Sequence, residues 1–290
     1  MLAGCHLTRL IAICYTDFSP FWEGSLRLIS LLTDFGLQDG YVGVMKGVIW
    51  KIVPEVDIVD ITHAISPQNI QQGALSLGRV HSHFPDETIF IVIVDPGVGT
   101  ERRCIAAQLG KQYFVGPDNG LITLMLEQCE ASGGYVQVIH LTNPRYWLPE
   151  PSKVFHGRDI FSPVAAHLAM GVPLAEMGEP IADVIRLILP KPERTRKGYR
   201  GEVTSVDTFG NLETNLLREH LTSLGSRLEI RVAGQVISGM VEAFGDRPIG
   251  ELVALYGTHD DLMISVVNGS AARLLGTNIG VGTEVEVYAK

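Results

Sequence analysis

The sequence contains few cysteines, and their spacing fits neither a disulfide scaffold nor a zinc site. Only four occur in 290 residues, and no two of them have the CxxC spacing of zinc-binding or redox motifs. Small disulfide-stabilised domains are much richer in cysteine and occur outside the reducing compartments of the cell. We therefore predict a cytoplasmic protein without a structural metal.

The sequence also lacks a long apolar run and an excess of positive charge. No segment approaches the roughly 18 consecutive apolar residues that a membrane-spanning helix needs, so we expect no membrane partner. The formal net charge is −9, whereas nucleic-acid-binding domains usually present a basic face, so we expect no nucleic-acid partner. Hydrophobic residues make up 46% of the chain, which is enough for a substantial core.

The first two thirds of the chain alternate between apolar strands and amphipathic helices. Strands are predicted at 27–34, 56–62 and 88–95, and helices at 41–54 and 70–84. Fully apolar strands that alternate with helices indicate a mostly parallel sheet covered on both faces. Further along, the pattern predicts a strand pair and two helices, at 104–116, 121–129 and 157–171.

The pattern changes near residue 190. The segment KPERTRKG is charged, contains proline and glycine and has no apolar period, so it is predicted to be a linker. Short alternating segments follow, with one short helix at 270–276, which favours a small barrel-like β domain. The predicted parts are an N-terminal extension, an α/β domain, a linker and a C-terminal β domain, at residues 1–26, 27–190, 191–198 and 199–290.

Polar side chains stand where the predicted parallel strands end. Asp34 ends the first strand, Asp60 and His63 follow the second, and Asp95 ends the third. Ligands of open α/β sheets bind at the carboxyl ends of the strands. A single aspartate there is commonly only a helix cap. Because polar residues recur at the ends of successive strands, a ligand site on that edge of the sheet is favoured.

The segment VDPGVGTERR, residues 94–103, combines an acid, two glycines and two arginines. Glycine permits a positive φ or a close approach to a ligand. Arg102 is a permanent cation that suits a carboxylate, an anion or a polarised water, although a solvated arginine pair is the simpler explanation in isolation. His156, in FHGRD, is open to three interpretations: a general base, a donor at a helix end or a structural residue.

Two further polar groups lie in the C-terminal part. The segment VDTFGN carries Asp207 and Asn211, which are also ordinary turn residues. The segment NGSAA places Ser270 at the start of a short helix, where free N–H groups suit a carboxylate and where a serine is equally a simple cap.

Taken in order, the motifs TDFG, YVGVMKG, DITH, VDPGVGTERR, PDNG, FHGRD, DTFGN and NGSAA closely resemble the S-adenosylmethionine hydroxide adenosyltransferase family, whose relatives include fluorinase and chlorinase. The resemblance covers residues 27–290. It implies an α/β domain, a barrel-like β domain and a homotrimer with active sites between subunits. It also implies attack of water or hydroxide on C5′ of S-adenosyl-L-methionine, giving adenosine and L-methionine, with no cofactor and no metal.

The resemblance also assigns roles to residues. It implies water activation by three of them, namely Asp95, Arg102 and His156. It implies a ribose contact by Asp34 and methionine contacts by Asp207, Asn211 and Ser270. Asn119 and Ala271 lie in segments that match the adenine contacts.

Other functions remain open from the residues alone. The halide-using relatives lack the aspartate–histidine pair, so the full set in this chain favours water over chloride or fluoride as nucleophile. A non-catalytic protein that binds adenosine or S-adenosylmethionine is the alternative from a different class. A metal-dependent phosphohydrolase built on Asp34 and Asp60 has weaker support.

Overall fold

The apolar segments that follow residue 28 form one seven-stranded sheet, in which the central strands are buried and the two edge strands are partly exposed. The computed structural model describes residues 28–290, so the predicted extension at 1–26 lies outside the described residues. The strands are β1 (Ile29–Thr33), β2 (Ile58–Thr62), β3 (Ile89–Ile93), β4 (Cys104–Leu109), β5 (Gln112–Pro117), β6 (Val136–Leu141) and β7 (Gly178–Pro180).

This first sheet has the strand order β2-β1-β3-β5-β4-β6-β7. Strands β2, β1, β3 and β5 pair in parallel, and β4 is antiparallel to both β5 and β6. Because β7 is antiparallel to β6, only β4 and β7 oppose the other five strands. The predicted mostly parallel sheet is confirmed; β6 and β7 were not predicted.

Four helices cover the two faces of the first sheet. They are α1 (Tyr41–Ile52), α2 (Ile70–Val80), α3 (Thr123–Ala131) and α4 (Ser162–Ala169). Met45 of α1 and Val164 of α4 belong to the apolar core on one face, whereas Leu77 of α2 and Met125 of α3 belong to the core on the other. Continuous apolar strands are therefore buried on both sides, as their sequence predicts.

The C-terminal part forms a second, antiparallel sheet. Its strands are β8 (Glu193–Arg194), β9 (Gly198–Val206), β10 (Leu212–Leu217), β11 (Leu228–Val232), β12 (Gln235–Ser238), β13 (Leu252–Tyr256), β14 (Asp261–Val266) and β15 (Glu284–Ala289). The order is β12-β11-β15-β9-β10-β14-β13, with β8 on β9. Val241, just after β12, donates its N–H to the carbonyl of Ala254 in β13 at 2.9 Å, so the two ends nearly meet. The predicted barrel-like architecture is confirmed.

Two short helices accompany this barrel, α5 (Arg218–Thr222) and α6 (Ala271–Leu275). The chain joins the barrel inside the segment predicted as a linker, because Glu193–Arg194 pair with β9 and Gly198 is the first residue of β9. No helix among residues 28–290 combines the length and apolarity needed to cross a membrane.

Arg79, in the last turn of α2, connects the two sheets. Its guanidinium donates to the side chains of Ser205 and Glu213 on the barrel, and to Thr204 Oγ1 at 3.2 Å. Its carbonyl lies 3.1 Å from His259 Nε2, which must donate because a carbonyl only accepts. These contacts hold the barrel against the α2 face of the first sheet.

Candidate active site

The carboxyl ends of β1 and β3 bring two of the predicted acids together. These strands are neighbours, with Thr33 opposite Ile93, and the N–H of Asp34 donates to the carbonyl of Ile93. Asp95 follows two residues later. Both aspartates line one cavity of about 430 Å³. The sheet edge therefore concentrates the acids as the strand pattern predicts.

The rest of the cavity wall is largely aromatic and apolar. Phe35, Tyr41 and Phe155 pack edge to face with ring centroids 5.3–6.0 Å apart. All three line the cavity, and His156 lies beside Phe155. Sequence reasoning missed this aromatic group because its members come from three separate segments. The only local signal was that each aromatic residue lies next to, or within, a polar motif.

Asp95, Arg102 and His156 form one hydrogen-bonded cluster. Arg102 donates from Nε to Asp95 Oδ1 at 3.0 Å and from Nη2 to Asp95 Oδ2 at 2.5 Å. The same Nη2 lies 2.8 Å from His156 Nδ1. The side chains of Arg102 and Asp95 are only 10% and 6% exposed. The structure thus brings the three residues together in a partly desolvated site, where charge-assisted bonds are strong.

The bond between Arg102 and His156 fixes which imidazole nitrogen carries the proton. A guanidinium has no acceptor, so His156 Nδ1 must accept and its proton lies on Nε2. Burial, together with the positive charge of Arg102, lowers the pKa of His156 below its ordinary value. His156 is therefore neutral near pH 7, and its Nε2–H is a hydrogen-bond donor.

Arg102 lies behind the cavity wall rather than in it. Asp95 and His156 line the cavity, but Arg102 does not. Its Nη1 donates to the thiol of Cys104 at 2.8 Å, and the ring of Phe161 lies 5.5 Å from its Cζ. Burial opposes the charge, but the bonds from Asp95 prevail and raise the pKa of Arg102. Its geometry suits a fixed cation that orients its two neighbours.

The second arginine of the pair, Arg103, has a different role. It pairs with Asp118 at the end of β5 and with Asp183 beyond β7. Its side chain therefore connects two segments of the fold and takes no part in the cavity wall. Adjacent arginines on an extended backbone point to opposite sides, which explains the two roles.

Gly99 allows the 94–103 segment to pack against the segment that carries His156. Its φ is +78°, and a Cβ at this position would lie 2.2 Å from the carbonyl oxygen of Lys153. Every residue other than glycine would clash there. Gly99 thus allows the 94–103 segment and the segment around Lys153 to approach each other closely.

His156 precedes an unusual helical turn. The helix predicted over 157–171 begins as a π-helical turn, Gly157–Phe161, and only then continues as α4. Such turns are rare and occur frequently at functional sites. A Cβ on Gly157 would lie 3.1 Å from Ile93 Cδ1, so this glycine lets the turn sit close to the end of β3.

Asn119 lies apart from this cavity. Its amide donates to the carbonyl of Val94 at 2.9 Å, and it is not among the lining residues. Its bond fixes the backbone just before Asp95. An adenine contact by Asn119 therefore stays a prediction, without support from the cavity lining.

Asp207, Asn211, Ser270 and Ala271 meet in a second cluster on the barrel. Asp207 Oδ1 accepts from the N–H groups of Phe209 and Asn211, and its Oδ2 accepts from the Asn211 amide at 2.7 Å. Ser270 caps α6 by accepting from the Arg273 N–H. The Ala272 N–H donates to the Gly210 carbonyl at 3.0 Å, which joins the turn to α6.

The two clusters do not meet within one chain. Among the described residues 28–290, those that line the cavity all lie between 34 and 157, and none comes from the barrel. Phe209, at the tip of the barrel turn, is 74% exposed, and Val154, at the cavity rim, is 79% exposed. Both clusters thus carry large uncovered apolar side chains.

No group of three or more histidine, cysteine, aspartate or glutamate side chains within residues 28–290 has the arrangement of a metal site. Asp34 and Asp60, the pair considered for a metal-dependent phosphohydrolase, have separate partners. Asp34 accepts from the Gln68 N–H at 2.8 Å, and Asp60 pairs with Lys46.

Two family models match the chain. Residues 29–178 match the SAM hydroxide adenosyltransferase N-terminal domain, and residues 201–285 match the C-terminal domain of the same family. Among solved structures, an uncharacterized conserved protein from Thermotoga maritima superimposes with a TM-score of 0.83 at 38% identity, covering 90% of this chain and 100% of its own.

Curated relatives carry two kinds of name. One from Salinispora tropica, named (R)-S-adenosyl-L-methionine hydrolase, is 39% identical over 87% of this chain and 95% of its own length. One of the same name from Thermus thermophilus is 37% identical, covering 88% and 98%. A fluorinase from an Actinoplanes species is 30% identical over 68% of this chain and 74% of its own length.

Proposed function

This chain belongs to the SAM hydroxide adenosyltransferase family, and on that premise we propose that it is an enzyme that hydrolyses S-adenosyl-L-methionine to adenosine and L-methionine. The observation that carries the proposal is the buried Asp95–Arg102–His156 cluster, two members of which line the cavity beside Asp34. The names of the hydrolase relatives support the same reaction.

The reaction needs no acid at the leaving group, so its rate depends mainly on how the nucleophile is positioned. A sulfonium leaves as a neutral thioether, so the sulfur needs no proton and the reaction needs no metal or cofactor. The oxygen of water forms a bond to C5′, the C5′–S bond breaks, and its electron pair stays on the sulfur of methionine. Holding a nucleophile in line with the breaking bond lowers the barrier by up to about 7–11 kcal/mol in ideal cases.

We assign the water to a position between Asp95 and His156. The Nε2–H of His156 donates to the water oxygen, and the Asp95 carboxylate accepts a water proton as the new C–O bond forms. Each carboxylate oxygen of Asp95 already accepts one bond from Arg102 but retains a further lone pair. His156 is thus a donor in this mechanism, which departs from the alternative in which it is the base.

Arg102 acts through its two neighbours. Its bidentate bonds orient the Asp95 carboxylate, and its bond to Nδ1 keeps the donor form of His156. We therefore propose a positioning role for Arg102, since it does not line the cavity. Asp34, on the same wall, is proposed to accept hydrogen bonds from the ribose hydroxyls.

We further propose that the complete site forms between subunits of a homotrimer. The cavity wall holds the residues proposed to bind the attacking water and the ribose. The methionine-binding candidates Asp207, Asn211 and Ser270 lie on the barrel, outside the cavity. A head-to-tail contact between two different surfaces forms a ring when the rotation between subunits closes, as it does in a trimer. The exposed Phe209 and Val154 supply apolar area for such a contact.

The relatives' names also support a proposal about the configuration of the substrate. Their names specify R in addition to the L-methionine carbon, so R refers to the stereogenic sulfonium sulfur. We propose that this chain prefers the same epimer.

Product analysis tests the proposed function. Purified protein, in excess chelator, is expected to convert S-adenosyl-L-methionine to equal amounts of adenosine and methionine, with the R epimer consumed first. Added chloride or fluoride should produce no halogenated nucleoside. Methylthioadenosine or S-adenosylhomocysteine as the main product would refute the reaction. Calorimetric adenosine binding without any turnover would favour the non-catalytic alternative.

A further inference from the structure

A line of polar contacts runs from the surface of α1 to the turn that follows β1. Lys46 Nζ donates to Asp60 Oδ2 at 2.7 Å, and Asp60 Oδ1 lies 3.1 Å from His63 Nε2. His63 Nδ1 lies 2.8 Å from Thr33 Oγ1, which accepts from the backbone N–H of Phe35 at 3.1 Å. The line therefore ends on the residue directly after Asp34.

The Thr33 hydroxyl connects His63 to the turn after β1. Because Thr33 Oγ1 accepts from the Phe35 N–H, its own proton is available to His63 Nδ1. His63 Nε2 faces the Asp60 carboxylate. Burial alone would raise the pKa of Asp60, but Lys46 and His63 outweigh it and lower that pKa. Asp60 is thus a carboxylate held between Lys46 and His63.

The inner members are buried, and the hydrogen bond between Thr33 Oγ1 and His63 Nδ1 joins them, whereas His63 Nε2 contacts Asp60 without hydrogen-bond geometry. Thr33 is fully buried and the His63 side chain is only 2% exposed. Polar groups buried without hydrogen bonds are strongly destabilising. The His63 carbonyl also accepts from the Gly36 N–H at 2.8 Å, and Gly36 has a φ of +65°. His63 is therefore linked to the residues on both sides of Asp34 and Phe35.

We infer that His63 is a positioning residue for substrate binding. Its imidazole lies beside Asp60 and bonds to Thr33, and its carbonyl bonds to Gly36, so that the turn between them presents the Asp34 carboxylate to the cavity. The inference rests on the proposed ribose contact of Asp34. His63 itself does not line the cavity, so it acts on the substrate only through this turn.

Four variants test the contacts of Thr33 and His63 one at a time. Thr33→Val keeps the shape of the side chain but removes the hydroxyl, whereas Thr33→Ser keeps the hydroxyl. His63→Asn places an amide oxygen near the Nδ1 position and retains the bond to Thr33. His63→Gln reaches toward Asp60 but loses that bond. We expect Thr33→Val and His63→Gln to raise KM about tenfold with kcat retained, and Thr33→Ser and His63→Asn to stay within about threefold of wild type.

His81 offers a matched control. Its imidazole also contacts polar side chains through both nitrogens, Gln112 at 3.0 Å and Gln128 at 2.6 Å, but it lies after α2 and away from the cavity. His81→Gln should lower the melting temperature without changing KM. Equal changes in melting temperature for the His63 and His81 variants, with no change in KM for any, would overturn the inference.

The backbone amide signals of Phe35 and Gly36 give a second readout that needs no substrate. In ligand-free NMR spectra, Thr33→Val and His63→Gln should shift both signals, and Thr33→Ser and His81→Gln should leave them in place. Unmoved signals in the first two variants would refute the positioning role even if the wild type is active. If the wild type fails to hydrolyse S-adenosylmethionine but the signals move as expected, the turn geometry stands and the proposed function fails.

Discussion

The two polar clusters of this molecule are held together in different ways. Arg102 bonds to Asp95 seven residues away and to His156 across 54 residues, so the whole first sheet maintains that cluster. Asp207 instead bonds within four residues, to Phe209 and Asn211 of its own turn. A cluster fixed by the fold keeps its geometry with or without ligand, which suits residues that act on a reacting bond. A local turn with an exposed aromatic residue suits binding.

Both clusters contain buried polar side chains, since Asn211 and Ser270 are only 8% and 9% exposed, but they differ in the apolar side chain beside them. Asp95 and Arg102 are nearly inaccessible, so their bonds form in a weakly screened environment. Phe209, at the tip of the barrel turn, is mostly exposed. We therefore expect substitutions in the first cluster to change the rate of the bound substrate and substitutions in the second to change affinity.

The largest expected effect comes from Arg102→Lys. A lysine ammonium has no planar fork, so it cannot hold both oxygens of Asp95 and His156 Nδ1 together. The single-turnover rate at saturating substrate should fall about 10²–10⁴-fold, the range typical of lost acid–base assistance. Substrate affinity should change little.

Arg103→Lys is the matched control for that substitution. The neighbouring guanidinium binds Asp118 and Asp183 rather than the cavity cluster. Its replacement should leave the single-turnover rate close to wild type. Equal losses in the two variants would show that the effect is one of general stability and not of the cluster.

Asp34→Ala should mainly weaken binding. Hydrogen bonds to a charged group contribute about 1.5–3 kcal/mol, so the substrate dissociation constant should rise about 10- to 100-fold while the rate at saturation is largely kept. Calorimetry with adenosine, which carries the same ribose, measures the loss of this contact without turnover. Asp57 is exposed and precedes β2, so it lies at the amino ends of the parallel strands, away from Asp34. Asp57→Ala is therefore a control that should leave affinity unchanged. A mutant with normal affinity and no turnover would contradict the ribose role.

Gly210→Ala tests the second cluster. Gly210 has a φ of +85°, and an added Cβ would lie 2.0 Å from Ser270 Oγ, so the turn must separate from α6. We expect KM to rise severalfold to about tenfold with little change in the bound-state rate. Gly234→Ala has a similar φ of +77° but no atom within 4 Å, so it isolates backbone strain from the clash. Indistinguishable KM values in the two variants would remove the second cluster from the site.

The smallest expected effect is a pH dependence. The pKa of His156 is lowered by burial and by Arg102, so it lies below the ordinary value of about 6.5. Protonation would place a hydrogen on Nδ1 against the guanidinium, so the single-turnover rate should fall as pH drops below that pKa and be constant above it. His156→Gln, whose side chain does not titrate, should be slower but lack this acid limb. An acid limb of equal size in the variant would assign it to another group.

The sequence predicted those parts of the fold and site that depend on local pattern. The apolar segment 88–95 indicates a buried strand, and β3 confirms it. The turn around Asp207 and the cap at Ser270 have local signatures that a sequence shows directly. The placement of Asp34 and Asp95 on one edge follows from the rule for parallel strands.

Other features depended on tertiary contacts that spacing cannot show. The bond between Arg102 and His156, and hence the tautomer of the imidazole, requires the position of the π-helical turn relative to β3. The placement of Arg102 behind the wall depends on Cys104 and Phe161, neither of which carries a motif. Strand β7 has only three residues, too few for any period to appear.

Isotope labelling tests most directly the claim that water attacks C5′ of the substrate within the Asp95–Arg102–His156 cluster. Wild-type enzyme incubated with S-adenosyl-L-methionine in ¹⁸O-labelled water should give adenosine that carries one ¹⁸O at its 5′ oxygen and methionine that carries none, by mass spectrometry. Arg102→Lys should form the same labelled adenosine far more slowly. Unlabelled adenosine, or label found only in another product, would contradict the mechanism.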